Sequence, residues 1–147
     1  MSYRVEEKIP LTESDSYEIL HNIKNLGFKA LYSERKIKSI YLDNNCNRAF
    51  FDSEEGILTR KKIRLRTYPN SKKTCNLEIK TSSIEGRFKT TKEISGENKT
   101  DILNYGYLDN LYGILMPVCL VEYKRLYFFK DNIRLTFDRN IIYKKKI

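Results

Sequence analysis

Arg60-Lys61-Lys62-Ile63-Arg64-Leu65-Arg66-Thr67 is the stretch on which the fold turns. Residues two apart in a strand share a face. The segment therefore puts Arg60, Lys62, Arg64 and Arg66 on one side and Ile63 and Leu65 on the other. The same alternation recurs along the chain. It sets Arg4, Glu6 and Lys8 opposite Val5 and Ile9, Glu78 and Lys80 opposite Leu77 and Ile79, and Arg87 and Lys89 opposite Phe88. Towards the C-terminus Tyr123 and Arg125 fall together, and Arg134, Thr136 and Asp138 stand opposite Ile133, Leu135 and Phe137. Each strand read in this way has an apolar face fit for packing under a helix. On its other face cations outnumber a few carboxylates.

Working outward, strands are predicted over residues 3–9, 36–43, 58–68, 73–80 and 87–94. The tail reads as a hairpin of 118–129 and 133–142, turning at Asp131-Asn132. Thr12 with Asp15 three residues on forms a variant capping box. Behind it Tyr17, Leu20, Ile23 and Leu26 recur at helical spacing, and Gly27 is placed to end the helix. A short helix is expected over 48–52 and helical structure between 100 and 115. No repeat or flexible linker interrupts the chain. The expected fold is α+β, an antiparallel β-barrel with flanking helices, in a single domain over residues 1–147.

Composition narrows the partner. Lys and Arg number 28 against 19 Asp and Glu, a net charge of +9 that favours an anionic ligand. Apolar residues make up 40% of the chain, too many for a disordered basic tail, so the charge decorates a folded body. Cys46, Cys75 and Cys119 are odd in number and lack CxxC spacing, which argues against a disulfide framework or a zinc site and for a reducing compartment. The N-terminus carries charges before any apolar run, and the longest apolar stretch, 114–121, is far below the roughly 20 residues of a membrane span. A cytoplasmic location is the expectation.

His21 is the only histidine, which leaves little material for a Ser-His-Asp or Cys-His nucleophile. Neither GxxxxGK[ST] nor GxGxxG is present, so side chains must do any phosphate binding. A charged face can simply be the wet side of a sheet. Rows of like charge on neighbouring strands, however, destabilise the free protein. On that ground removal of Arg64 or Arg66 is expected to leave the fold as stable or more so. If the sheet closes, the rows face a lumen in which a polyanion would neutralise them, and the planar Arg fork suits phosphate oxygens. Glu6, Glu78 and Asp138 on the same face either position the cations or hold a divalent metal. A nucleic-acid-binding barrel is the alternative of another class. It wants aromatics on the basic face; the faces of 60–66 and 76–80 have none, although Tyr123, Tyr127 and Phe129 flank Arg125.

The chain resembles a known family. Arg4-x-Glu6-x-Lys8 is similar to the first-strand signature of VTC domains, relatives of the CYTH and triphosphate tunnel enzymes. Ser39-Ile40-Tyr41-Leu42-Asp43 resembles the S-[IV]-Y-F-D strand of that family. Arg60-x-Lys62-x-Arg64-x-Arg66-x-Tyr68 resembles its R-x-K-x-R-x-R-x-Y strand. Leu77-Glu78-Ile79-Lys80, Arg87-Phe88-Lys89, Tyr123-x-Arg125 and Arg134-x-Thr136-x-Asp138 follow in the family's order. The resemblance implies a tunnel-shaped barrel that binds ATP and polyphosphate and, with manganese or magnesium, transfers the γ-phosphate to a polyphosphate chain. By motif match it implies a catalytic set of Lys8, Arg64, Arg66 and Lys80. Arg4, Lys62, Arg87, Lys89, Arg125 and Arg134 would be further phosphate contacts, and Glu6, Glu78 and Asp138 candidate metal ligands.

One departure bears on catalysis. VTC domains continue past the R-x-T-x-D strand to a helix and a closing strand that carries a metal-binding Glu, whereas this sequence ends at Ile147. The expectation is a truncated or reduced member that binds phosphates with little or no manganese-dependent synthesis. Its exposed strand edges would favour a homodimer.

Overall fold

The computed structural model describes residues 6–69 and 75–145. The elements run α1 (Glu13–Asn25), β1 (Lys29–Asp43), α2 (Arg48–Glu54), β2 (Arg60–Thr67), β3 (Cys75–Ser83), β4 (Gly86–Ile94), α3 (Gly96–Tyr105), β5 (Tyr107–Asp109), β6 (Gly113–Lys130) and β7 (Ile133–Lys145). All strands are antiparallel and form one seven-stranded sheet in the order β4-β3-β2-β1-β6-β5, with β7 also paired to β6. The α+β class and the antiparallel sheet agree with the sequence. The barrel is only approximate, because among the described residues β4 pairs with no strand beyond β3 and the sheet stays open.

The predicted first strand is part of the reason. Residues 6–9 form no regular structure and Ile9 remains 68% exposed, so its alternating pattern finds no apolar surface to cover. Residues 3–5, and Arg4 with them, lie outside the described residues.

Local chemistry explains the helices. Thr12 Oγ1 accepts from the Asp15 backbone N–H at 3.1 Å and Asp15 Oδ2 accepts from that of Thr12 at 3.3 Å, which closes the capping box of α1. Asp43 does the equivalent for α2 from the end of β1. Its Oδ1 accepts from Ala49 N–H at 3.0 Å and from Asn44 N–H at 2.8 Å, and its Oδ2 from Phe50 N–H at 2.9 Å. Four orphan N–H groups open every helix. Asp43 satisfies two of them here because Asn47, the residue before α2, makes no side-chain cap.

The predicted helix between 100 and 115 is corrected: α3 starts earlier and stops at Tyr105, and the rest is β5 and the start of β6. Gly106 enforces the break. Its φ is +87°, and a Cβ there would lie 2.7 Å from Ile114 Cγ2.

The core occupies one face of the sheet. Leu42, Ile63, Leu65, Cys75, Leu77, Ile94 and Leu115 pack there with Ala49 of α2 and Tyr112, and Ile102 and Leu103 of α3 pack against them. Tyr112 also donates to Asp52 Oδ2 at 3.0 Å and accepts from Lys61 N–H at 3.2 Å, which ties α2 to β2. With α2 and α3 on the apolar face, the cation rows lie on the other. No helix among the described residues is long and apolar enough to cross a membrane.

Candidate functional site

The pairing register brings the charged residues together. Across three strands Tyr41 stands opposite Arg64 and Arg64 opposite Glu78; one rung along, Ser39 stands opposite Arg66. A third rung, on the other side of Arg64, sets Lys62 opposite Lys80 and Lys80 opposite Lys89, three like charges in a row.

Glu78 is the hub. Its side chain is 4% exposed. Oε2 accepts from Arg64 Nε at 2.8 Å and from Nη2 at 2.6 Å, with Arg66 Nη1 at 3.7 Å, and Oε1 accepts from Lys89 Nζ at 2.8 Å. Burial alone would raise the Glu78 carboxyl, but the hydrogen bonds from Lys89 and Arg64 and the charges of Arg66 and Arg64 outweigh it and hold the pKa at about 2. One negative charge thus serves three cations. The Lys80 ammonium is pushed below its ordinary pKa by burial and by the charges of Arg64, Lys89 and Arg66; Glu6 acts on it in the opposite direction.

Neutral oxygens hold the rest of each guanidinium. Arg64 Nη1 donates to the Tyr41 hydroxyl at 2.9 Å, Arg66 Nε to Ser39 Oγ at 3.2 Å and Arg66 Nη2 to the Tyr123 hydroxyl at 3.0 Å. These contacts fix direction without cancelling charge. Beside them Arg125 forms a two-pronged pair with Asp138, at 2.5 and 2.6 Å, and lies 5.2 Å over the Tyr123 ring. The Asp138 hydrogen bonds raise the Arg125 pKa above its ordinary value.

Of the residues expected from sequence, Arg64, Arg66, Glu78, Lys80 and Lys89 form one cluster, with Lys62 on its rim and Arg125 and Asp138 adjoining. Arg87 is exposed, opposite Ser82. Arg134 is exposed near the β6–β7 turn, opposite Phe129. Lys8 is exposed in the irregular N-terminal segment. Sequence alternation does not reveal the hydroxyls of Ser39, Tyr41 and Tyr123 as partners of the Arg64 and Arg66 guanidiniums, because it gives a residue's face and not the reach of its neighbours.

Of the three candidate metal-ligating carboxylates, Glu6 is exposed in the irregular N-terminal segment, and the other two are engaged by cations. Both oxygens of Glu78 and both of Asp138 accept from Arg or Lys. Among the described residues no three His, Cys, Asp or Glu come together as a ligand set.

Two comparisons bear on this arrangement. The family model described as VTC domain matches residues 4–146, nearly the whole chain. No curated protein sequence matches it.

Proposed function

The chain belongs to the VTC-domain family, which ties it to polyphosphate-related function, and from that membership we propose that its cationic face grips the phosphate chain of ATP and of inorganic polyphosphate. The observation that carries this reading is the charge imbalance at Glu78. Arg64, Arg66 and Lys89 share a single carboxylate, with Lys80 and Lys62 in the next rung. Partly buried cations in such excess favour a multivalent anion.

The reaction proposed with it is transfer of the γ-phosphate of ATP to polyphosphate. A terminal polyphosphate oxygen attacks the γ-phosphorus, the bond to the β–γ bridging oxygen breaks, and ADP leaves. Such a transfer asks a protein mainly for positioning and for neutralisation of oxygens. Arg64 and Arg66, oriented from behind by Glu78, Tyr41, Ser39 and Tyr123, are suited to both.

Calorimetry with tripolyphosphate, ATP and a single-stranded oligonucleotide of equal charge tests the binding, and incubation with ATP and manganese tests the transfer. Affinity for the phosphates that falls with salt, together with polyphosphate formation lost in Arg64→Ala, supports the full reading. Phosphate binding without synthesis supports a non-catalytic phosphate-binding module. Preference for the oligonucleotide overturns both.

A further inference from the structure

Arg35 sits on the same face as the cluster, yet no motif includes it. It lies directly opposite Arg125 in the β1–β6 ladder, and Arg125 lies opposite Asp138 in the β6–β7 ladder. That rung across three strands therefore carries two guanidiniums and one carboxylate, and Arg125 occupies both oxygens of the carboxylate. Among the described residues Arg35 makes no ion pair.

It is nonetheless held in place. Its Cζ lies 4.0 Å from the Tyr32 ring centroid and 5.5 Å from that of Tyr127, and those rings meet edge to face at 5.4 Å. Ring faces orient a guanidinium while leaving its charge and outward N–H groups available.

Its position gives this a use. Arg66 is at the Ser39 rung, and Arg35 is four residues further along β1, about 13 Å at strand spacing. Arg134, opposite Phe129, is a further four residues along β6, again about 13 Å. Arg35 and Arg125 fill the gap between the Glu78 cluster and Arg134.

Building on the phosphate-binding reading, we infer that Arg35, across the ladder from Arg125, extends the phosphate-binding face as a further subsite that long polyphosphate chains reach and a triphosphate held at Arg64 and Arg66 does not. The ligand class that depends on Arg35 is therefore long-chain polyphosphate.

The test compares Arg35→Gln, Arg35→Lys and Lys36→Gln in the full chain, with tripolyphosphate and long-chain polyphosphate as probes. Lys36 is the neighbouring cation on the other face, within 3.8 Å of Glu122, and controls for general charge loss. Arg35→Gln is expected to weaken the long chain about 5–10-fold and to lower the salt slope by about one, with tripolyphosphate changed less than about two-fold. Arg35→Lys should keep most of the long-chain affinity. An equal loss on both probes, a loss no greater than that of Lys36→Gln, or an Arg35→Lys defect as large as that of Arg35→Gln overturns the subsite. If the unaltered chain binds neither probe, the phosphate reading falls and the subsite with it; tripolyphosphate binding that needs Arg64 but a long-chain affinity indifferent to Arg35 sinks the subsite alone.

Discussion

Arg64 closes Nε and Nη2 onto one oxygen of Glu78, at 2.8 and 2.6 Å. Lys89 takes the other oxygen from the next strand. A carboxylate in this setting can act as a counter-ion that competes with phosphate, or as the anchor that aims the cations at it. The two roles predict opposite signs. Removing a competitor adds one positive charge to the site and tightens phosphate binding, whereas removing an anchor frees Arg64 and Lys89 to move and weakens it. The near-complete burial of Glu78 favours the anchor. Glu78→Gln is therefore expected to lower tripolyphosphate affinity about ten-fold and stability by about 3 kcal/mol, since it leaves buried cations without their partner. Titration calorimetry and urea denaturation read the two effects, and tighter binding would make Glu78 a competitor.

The same geometry reverses an expectation drawn from the sequence. Self-repulsion within a cation row suggested that Arg64→Ala and Arg66→Ala would leave stability unchanged or improved. Instead both side chains are nearly buried, at 11% and 8% exposure, and their hydrogen bonds reach Glu78, Tyr41, Ser39 and Tyr123. Each alanine variant should lose about 1–3 kcal/mol, because buried acceptors lose their donors. Each should also weaken tripolyphosphate binding at least about ten-fold. Thermal melts beside binding isotherms check the pair of effects. Loss of stability with binding intact would assign these arginines to the fold alone.

Arg60 to Thr67 was legible because strand alternation with period two is strict there; the partner of each cation, such as Glu78 opposite Arg64, is set by the strand register. Other features were hidden for identifiable reasons. Strand β1 begins at Lys29 and not near 36, since irregular pairing between Ala30 and Arg35 breaks the alternation that would have revealed it. The same irregularity concealed Arg35. Leu108, Leu111, Tyr112 and Leu115 repeat at helical spacing, so only the backbone demands of Gly106 and Gly113, both at positive φ, distinguish β5 and its turn from a helix. Glu78 and Asp138 were correctly placed on the cationic face. Which cations would saturate them depends on side-chain reach across strands, which a linear pattern does not contain.

Asp43 ends the Ser39-Ile40-Tyr41-Leu42-Asp43 motif, yet its carboxylate points away from the cations and accepts from Ala49 and Phe50 at the start of α2. Asp43→Ala should cost about 1–2 kcal/mol, the range for a lost helix cap. It should leave tripolyphosphate affinity within about two-fold. Denaturation and calorimetry on one preparation separate these outcomes, and a large affinity loss at unchanged stability would place Asp43 in the site.

Acid should disarm the site in a defined window. The Glu78 carboxyl titrates at about 2 in the folded protein, against about 4.3 in an unfolded chain. A folded-state pKa that is depressed contributes stability above the unfolded value and loses it as the pH falls through the folded one. The Glu78 contribution, on the order of 3 kcal/mol, is therefore complete at neutral pH, declines below about pH 4.3 and is largely gone near the folded value of about 2. Other carboxylates also drive acid unfolding, so the useful quantity is the difference between the unaltered chain and Glu78→Gln. Urea denaturation from neutral pH down to about pH 2 should show a constant gap that narrows only in the acid window. A gap independent of pH would mean that Glu78 is not held ionised by Lys89 and Arg64, and would remove the electrostatic basis for treating it as their anchor.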